Sequence, residues 1–225
     1  MSATTGYARV GRPVAEPGPV PVILPGTKRR PMGVRSEGSA RDRVVGLVLA
    51  AGAGTRAGGP KALRTTATGV PWLRGVVRRL LDGGCADVIV VLGAAADAAR
   101  ALVPAEASIV VCDRWQSGLS ESLRTGLDAA ARLHPDAVAA AITPVDIPDG
   151  SPATLRRLLI WLAPDCLVRA SFAGRPGHPV LIGRRHWRPF ADSLSGDSGG
   201  AWYLRAHGAL SIECGDLESG RDLDT

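Results

Sequence analysis

A chain of 225 residues with 45% hydrophobic and 21% charged residues has the size and composition of one α/β domain with a sizeable core, and is too short for two. Its net charge of +6 invites a nucleic-acid reading, but residues 1–43 hold eight Arg or Lys against three acids and so carry +5 of it. The body is left nearly neutral, aromatic residues are few and not interleaved with arginines, and no apolar stretch reaches the roughly 18 residues of a membrane span; nucleic acid and membrane are set aside as partners.

Residues 1–43 contain six glycines, six prolines and the basic run Lys28-Arg29-Arg30, a composition that cannot bury enough apolar surface to fold, and they read as a disordered tail. From Val44 the pattern changes. The apolar run 44–50 is a strand buried on both faces. Residues 71–82 are a helix with Trp72, Val76, Val77, Leu80 and Leu81 inward and Arg74, Arg78 and Arg79 outward, opened by Pro71 and stopped by Gly83-Gly84. A strand follows at 87–92, a helix at 94–103, a strand at 108–112, a helix at 119–132, a strand at 137–142 and a helix at 151–162. Two strands near 166–170 and 178–182, a helix near 199–206 and a strand near 209–214 complete the chain. Strands alternating with helices predict a mostly parallel sheet with right-handed crossovers. Cys85, Cys112, Cys166 and Cys214 lie far apart in or beside apolar runs and read as core thiols of a reducing, cytoplasmic protein.

In such a sheet ligands bind outside the carboxyl ends of the strands. The loops at 51–60, 115–122 and 143–149 follow the first, third and fourth strands of the body and open onto that one edge. The first is the most informative. Gly52, Gly54, Gly58 and Gly59 let the backbone turn sharply and present its N–H groups to phosphate oxygens, with Arg56 and Lys61 to add charge-assisted bonds. A P-loop needs Ser or Thr after its lysine, and Ala62 stands there; Gly58-Gly59-Pro60 breaks the helix a dinucleotide fingerprint requires. Among 25 arginines and two lysines, Lys61 is the only lysine outside the tail, which points to a compact charge rather than a planar one; a solvated loop lysine is the plain alternative. Asp146, between Pro144 and Pro148, suits a magnesium ion bound to phosphates, or else caps the helix at 151. Ser120 is a base contact or an N-cap, and His178 a site residue or an ordinary loop histidine. No His/Cys cluster suggests zinc, and no Ser–His–Asp spacing suggests a hydrolase.

The stretch LAAGAGTRAGGPKAL (49–63) resembles the signature of the nucleotidyltransferases that act on the molybdenum cofactor. DRWQSGLSESLRTGL (113–127), TPVDIPD (143–149), AGRPGHPVLIG (173–183), GDSGG (196–200) and RDLDT (221–225) follow in the family's order, and the GHPV and GD-x-G pieces narrow the resemblance to the cytidylyltransferase-like branch. The resemblance implies a Rossmann-like α/β/α sandwich over 44–225. It also implies magnesium-dependent transfer of CMP from CTP to the phosphate of molybdopterin, with release of pyrophosphate, and contact with a molybdoenzyme or its maturation factor. Ala50, Ala51, Gly52, Gly54, Arg56 and Lys61 would then hold the nucleotide, Gly118 and Ser120 would lie near its base, and His178 and Asp197 toward the acceptor. Asp146 and Asp222 would share the metal, with Asp224 as the alternative to Asp222. Arg56, Lys61 and Asp146 would carry catalysis. The chain departs from the family at Ala57, where methionine is usual, and at Thr225, past which the family's closing motif normally continues. GTP is the competing nucleotide; the guanylyl branch tends to read Leu-Ala-Gly-Gly where this chain has Leu49-Ala50-Ala51-Gly52. A non-catalytic nucleotide- or cofactor-binding protein is the reading from another class.

Overall fold

The computed structural model describes residues 22–23, 44–55 and 58–221. Its strands are β1 (Val22–Ile23), β2 (Val44–Ala50), β3 (Asp87–Leu92), β4 (Ala107–Val111), β5 (Ala139–Pro144), β6 (Leu167–Phe172), β7 (Arg175–Gly183) and β8 (Leu210–Glu213). The helices are α1 (Trp72–Gly83), α2 (Ala96–Arg100), α3 (Leu119–Leu133), α4 (Pro152–Leu158), α5 (Arg184–Ser193) and α6 (Ala201–Ala206).

The apolar strands fill the middle of a single sheet ordered β1-β8-β6-β7-β5-β2-β3-β4. Strand β2 is central because both its faces need cover: Val44, Val48 and Ala50 pack on one side, Val45 and Leu47 on the other. Helices α1, α2 and α4 cover the first face, and α3, α5 and α6 the second, which makes the three-layer α/β/α sandwich. All pairings are parallel except those of β7, which runs antiparallel to β5 and β6. The chain leaves β2 in one direction, through β3 and β4, and then returns to add β5 on the other flank. This reversal opens a crevice at the carboxyl ends of β2 and β5. Their ends are level, with Leu49 opposite Pro144 and the Val145 N–H donating to the Leu49 carbonyl at 3.1 Å.

The structure departs from the sequence expectations in several places. The helix expected at 151–162 is α4, capped by the Ser151 hydroxyl, followed by a separate 3-10 turn at Leu159–Trp161. The helix expected at 94–103 shortens to α2. Helix α5 was not foreseen, since Arg-Arg-His-Trp-Arg-Pro reads as polar and broken by Pro189; three buried residues, Trp187, Phe190 and Ala191, hold it, with the Trp187 indole donating to the Ile182 carbonyl at 2.9 Å. Arg79 does not point outward but is 6% exposed. Within the segment read as a disordered tail, Val22–Ile23 pair in parallel with Ser211–Ile212 at the sheet edge, because the outer side of β8 offers unpaired backbone groups.

Candidate functional site

The glycine loop leaves β2 at the crevice and folds back on itself. Gly54 has φ +61°, and a Cβ there would overlap the Gly59 carbonyl oxygen; the Gly59 N–H donates to the Gly54 carbonyl at 3.0 Å, closing the turn. A Cβ at Gly52 would meet nothing within 4 Å, so its backbone faces open space. Pro60 then leads into a single 3-10 turn, Lys61–Leu63, pinned by the buried Ala62. The Lys61 side chain reaches across to β5, and its Nζ donates to Asp146 Oδ2 at 2.8 Å.

Asp146 comes to that point because its neighbours go elsewhere. Val145 and Ile147 are buried, and Pro144 and Pro148 stiffen the loop on either side. Its other oxygen, Oδ1, is buried and has no hydrogen-bond partner among the described residues. A buried carboxylate oxygen left open beside a phosphate-sized cradle is what a hard divalent cation needs, since such ions take one or two protein carboxylates and complete their shell from phosphates and water. No group of three or more His, Cys, Asp or Glu side chains gathers among the described residues, so an all-protein metal cage is not built there.

The remaining walls come from the turn after β4, from the start of α3 and from the segment after α5. Gly118, with φ +106°, caps α3 and lies against Gly196 and Asp197, and the Ser120 N–H donates to the Gly196 carbonyl at 3.0 Å. Ser120 is thus the second residue of α3 and buried, not its cap; Ser122 rather than Ser120 lines the cavity. The resulting cavity, about 890 Å³, is bounded by Ala51, Gly52, Gly54, Lys61, Gly118, Asp146 and Asp197, with Trp115 and Gln116 beside them. A void of that size holds a nucleotide. Its floor includes the positive end of the 15-residue helix α3.

His178 lies in β7, two residues before Val180, which pairs with Ile142. Because β7 is antiparallel, its opening half lies at the edge where β5 ends, so His178 shares the edge with Asp146 although it is not among the cavity's lining residues. Ala50 is the buried last residue of β2. Arg56, Asp222 and Asp224 lie outside the described residues. The described segment before Asp222 is anchored close by: Glu218 accepts from Ser151 N–H and Thr154 Oγ1, and Gly220 packs on the Phe172 ring at the end of β6.

Two polar networks under the site were missed. Arg79 donates to Thr143 Oγ1 at 3.1 Å beneath the Asp146 loop. Arg124 bonds Glu121 and the carbonyls of Ala191 and Leu194, tying α3 to the end of α5. Spacing carried a signal for the first: Arg79 stands seven residues after Trp72 and three after Val76, on their face of the helix.

A family profile described as the MobA-like NTP transferase domain matches residues 46–210. The chain belongs to the MobA-like NTP transferase family. It is a nucleotidyltransferase by that membership. A curated relative from Paenarthrobacter nicotinovorans, named nicotine blue oxidoreductase, is 37% identical over 193 residues, covering 81% of this chain and 92% of its own. Among solved structures, Rv0371c from Mycobacterium tuberculosis is similar with a TM-score of 0.65 and 29% identity, over 81% of this chain and 93% of its own. The same protein in complex with manganese aligns with a TM-score of 0.62 and 28% identity, over 81% and 94%. No helix among the described residues is long and apolar enough to cross a membrane.

Proposed function

We propose that this chain transfers CMP from CTP to the phosphate of a molybdopterin-type acceptor and releases pyrophosphate. The observation that carries the reading is the meeting of Lys61 and Asp146, 2.8 Å apart, in the cavity onto which the glycine loop opens. The backbone at Ala51, Gly52 and Gly54 cradles the triphosphate, with Lys61 and Arg56 against its oxygens. Gly118 and the start of α3 lie toward the base; Asp197 and His178 lie toward the acceptor. Asp146, with Asp222 or Asp224, would hold a magnesium ion, which when bound supplies charge neutralisation between the phosphates. The manganese complex of the mycobacterial relative supports a divalent ion in this fold. An acceptor phosphate oxygen attacks the α-phosphorus, and the bond from that phosphorus to the bridging oxygen breaks in line, so pyrophosphate leaves. Lys61 meets the charge that develops on the departing group, so positioning and electrostatics do most of the catalysis. The working unit on this reading is 44–225, and the product passes to a molybdoenzyme or its maturation factor.

A second reading has one observation behind it, the 37% identity to a relative named as an oxidoreductase. On that reading the glycine cradle would take the pyrophosphate of a redox dinucleotide through its backbone N–H groups, without the helix N-terminus such cofactors usually meet, since only a 3-10 turn follows it. The deciding experiment measures pyrophosphate release from ATP, CTP, GTP and UTP, with and without molybdenum cofactor, beside oxidation of a reduced nicotinamide dinucleotide with a quinoid dye. Release that requires both CTP and the cofactor is expected. Release with GTP alone changes the nucleotide, and dye reduction without release from any triphosphate overturns the proposal.

A further inference from the structure

Beneath the Asp146 loop, and outside the cavity, sits a charged side chain that the proposed mechanism does not use. Arg79 is on the sheet-facing side of α1 and 6% exposed. A guanidinium remains charged at any ordinary pH, so burying one is costly unless its donors find partners. The partners of Arg79 lie on both sides of Asp146. Ahead of it, Nη2 donates to the fully buried Thr143 Oγ1 at 3.1 Å. Behind it, the guanidinium packs on Gly150 so closely that a Cβ there would overlap Nη1, and the Glu218 carboxylate abuts the same Gly150 position. Burial lowers the Arg79 pKa, while the charges of Glu218 and Asp149 raise it. Glu218 in turn accepts from the Ser151 N–H and from Thr154 Oγ1, fixing the start of α4. Helix α1 also braces the middle of the loop, where Gly75 lies against the Pro148 carbonyl.

We infer that Arg79 is a positioning residue for cation binding: it grips the 143–151 loop at both ends and so fixes the place of the Asp146 carboxylate. The inference rests on the reading of Asp146 as a cation ligand. Arg79 touches neither the cavity nor any reacting atom; it acts through Thr143 and Gly150. Two prolines restrict the loop's dihedrals, but they do not tie it to the rest of the fold. The Val145 N–H bonded to Leu49, the buried Val145 and Ile147, and Glu218 at Ser151 anchor parts of it; Arg79 adds a tie at Thr143 and packs on Gly150, where a side chain would not fit.

The test is titration of the full-length protein with manganese alone, reading free Mn2+ by electron paramagnetic resonance, beside thermal melts. Wild type is compared with Asp146→Asn, Arg79→Lys, Arg79→Ala and Thr143→Val. A bond from a charged donor is worth enough that Thr143→Val and Arg79→Lys, while still folded, should bind Mn2+ about tenfold more weakly. Added guanidinium ion should restore part of the affinity lost in Arg79→Ala, which a purely structural role would not show. If Asp146→Asn binds Mn2+ as wild type does, the cation-ligand reading itself is wrong. If Asp146→Asn is weak but folded Thr143→Val and Arg79→Lys keep wild-type affinity, the positioning role is overturned. Should both Arg79 variants fail to fold, Thr143→Val decides, because it removes only the Arg79 bond and a long 3.4 Å bond to the Pro144 carbonyl and nearly keeps the side-chain volume.

Discussion

Lys61 Nζ and Asp146 Oδ2 stand 2.8 Å apart although 85 residues separate them, so the carboxylate is held by an internal cation. Both side chains are about a fifth exposed, which keeps this pair from being either a fully solvated or a fully buried one. On the proposed reading, the lysine exchanges Asp146 for phosphate when nucleotide and metal arrive. Lys61→Ala should therefore bind Mn2+ alone more tightly than wild type while slowing nucleotidyl transfer by on the order of 10²–10³. Lys61→Arg should also be impaired, since a planar guanidinium cannot replace an ammonium between phosphate oxygens. Steady-state kinetics beside metal titration check both; a fully active Lys61→Ala would remove the glycine loop as the phosphate site.

Asp146→Asn keeps the shape of the side chain and discards its charge. It should abolish turnover and leave the melting temperature within a few degrees, as its Oδ1 makes no hydrogen bond among the described residues and the Lys61 pair at Oδ2 is partly solvated, so its loss costs little. Normal activity in this variant would refute the metal assignment.

Two glycines of the cradle separate strain from collision. Gly54→Ala must place a methyl group on the Gly59 carbonyl at φ +61°, whereas Gly58→Ala, at φ +75°, meets nothing within 4 Å. The left-handed conformation alone costs roughly 1–2 kcal/mol. Gly54→Ala should lose nucleotide affinity heavily and Gly58→Ala mildly, by calorimetric titration with CTP.

Glu213 latches the β6–β7 turn to the end of β8. Burial would raise its pKa, but hydrogen bonds from the N–H groups of Gly174, Gly215 and Ala173 and from the Ser171 hydroxyl outweigh that and hold it below the ordinary 4.5. A lowered carboxylate pKa contributes stability above its unfolded value, and this is lost as pH falls through the folded value. Glu213→Gln should therefore be less stable than wild type at neutral pH, with the gap closing below about pH 4.5. Urea melts at pH 7, 4 and 3 test it; a gap that stays constant would contradict the sign.

All four cysteines are buried, and burial pushes the thiols of Cys166 and Cys214 up to about 11 and that of Cys85 higher still. Enclosed thiols should resist iodoacetamide at pH 8 in the native protein and take up four labels once unfolded. Labelling of the native protein at any one of them would show an opening that the packing does not provide.

What the sequence made legible follows from where its patterns are local. The run 44–50 has no polar residue, so its burial on both faces could be read directly, and the three loops that meet at the cavity follow from strand direction alone. The antiparallel course of β7 could not be read, because a two-residue turn at Ala173-Gly174 is the only local mark of it. Arg79 was placed outward for its charge; the carboxylate that justifies its burial, Glu218, stands 139 residues later, and helical periodicity carries no information about such a partner. Ser120 was read as a base contact or a cap; serine favours the cap position, but the cap fell to Gly118, whose φ of +106° lets the backbone approach Gly196, and Ser120 is buried in the helix.

The reversal of β7 has a consequence for how this chain can change. The cavity is lined by residues between Leu49 and Asp146 and, from the other side, by Asp197, while the hairpin β6–β7 lies at the same sheet edge beyond it. The hairpin meets the rest through β5 and β8 by backbone ladders, which are indifferent to side-chain identity at the exposed turn residues Ala173–Pro176. On the proposed reading, side-chain substitutions there would change what this edge of the sheet offers an acceptor while Lys61, Asp146 and the Glu213 latch on the turn backbone stay in place.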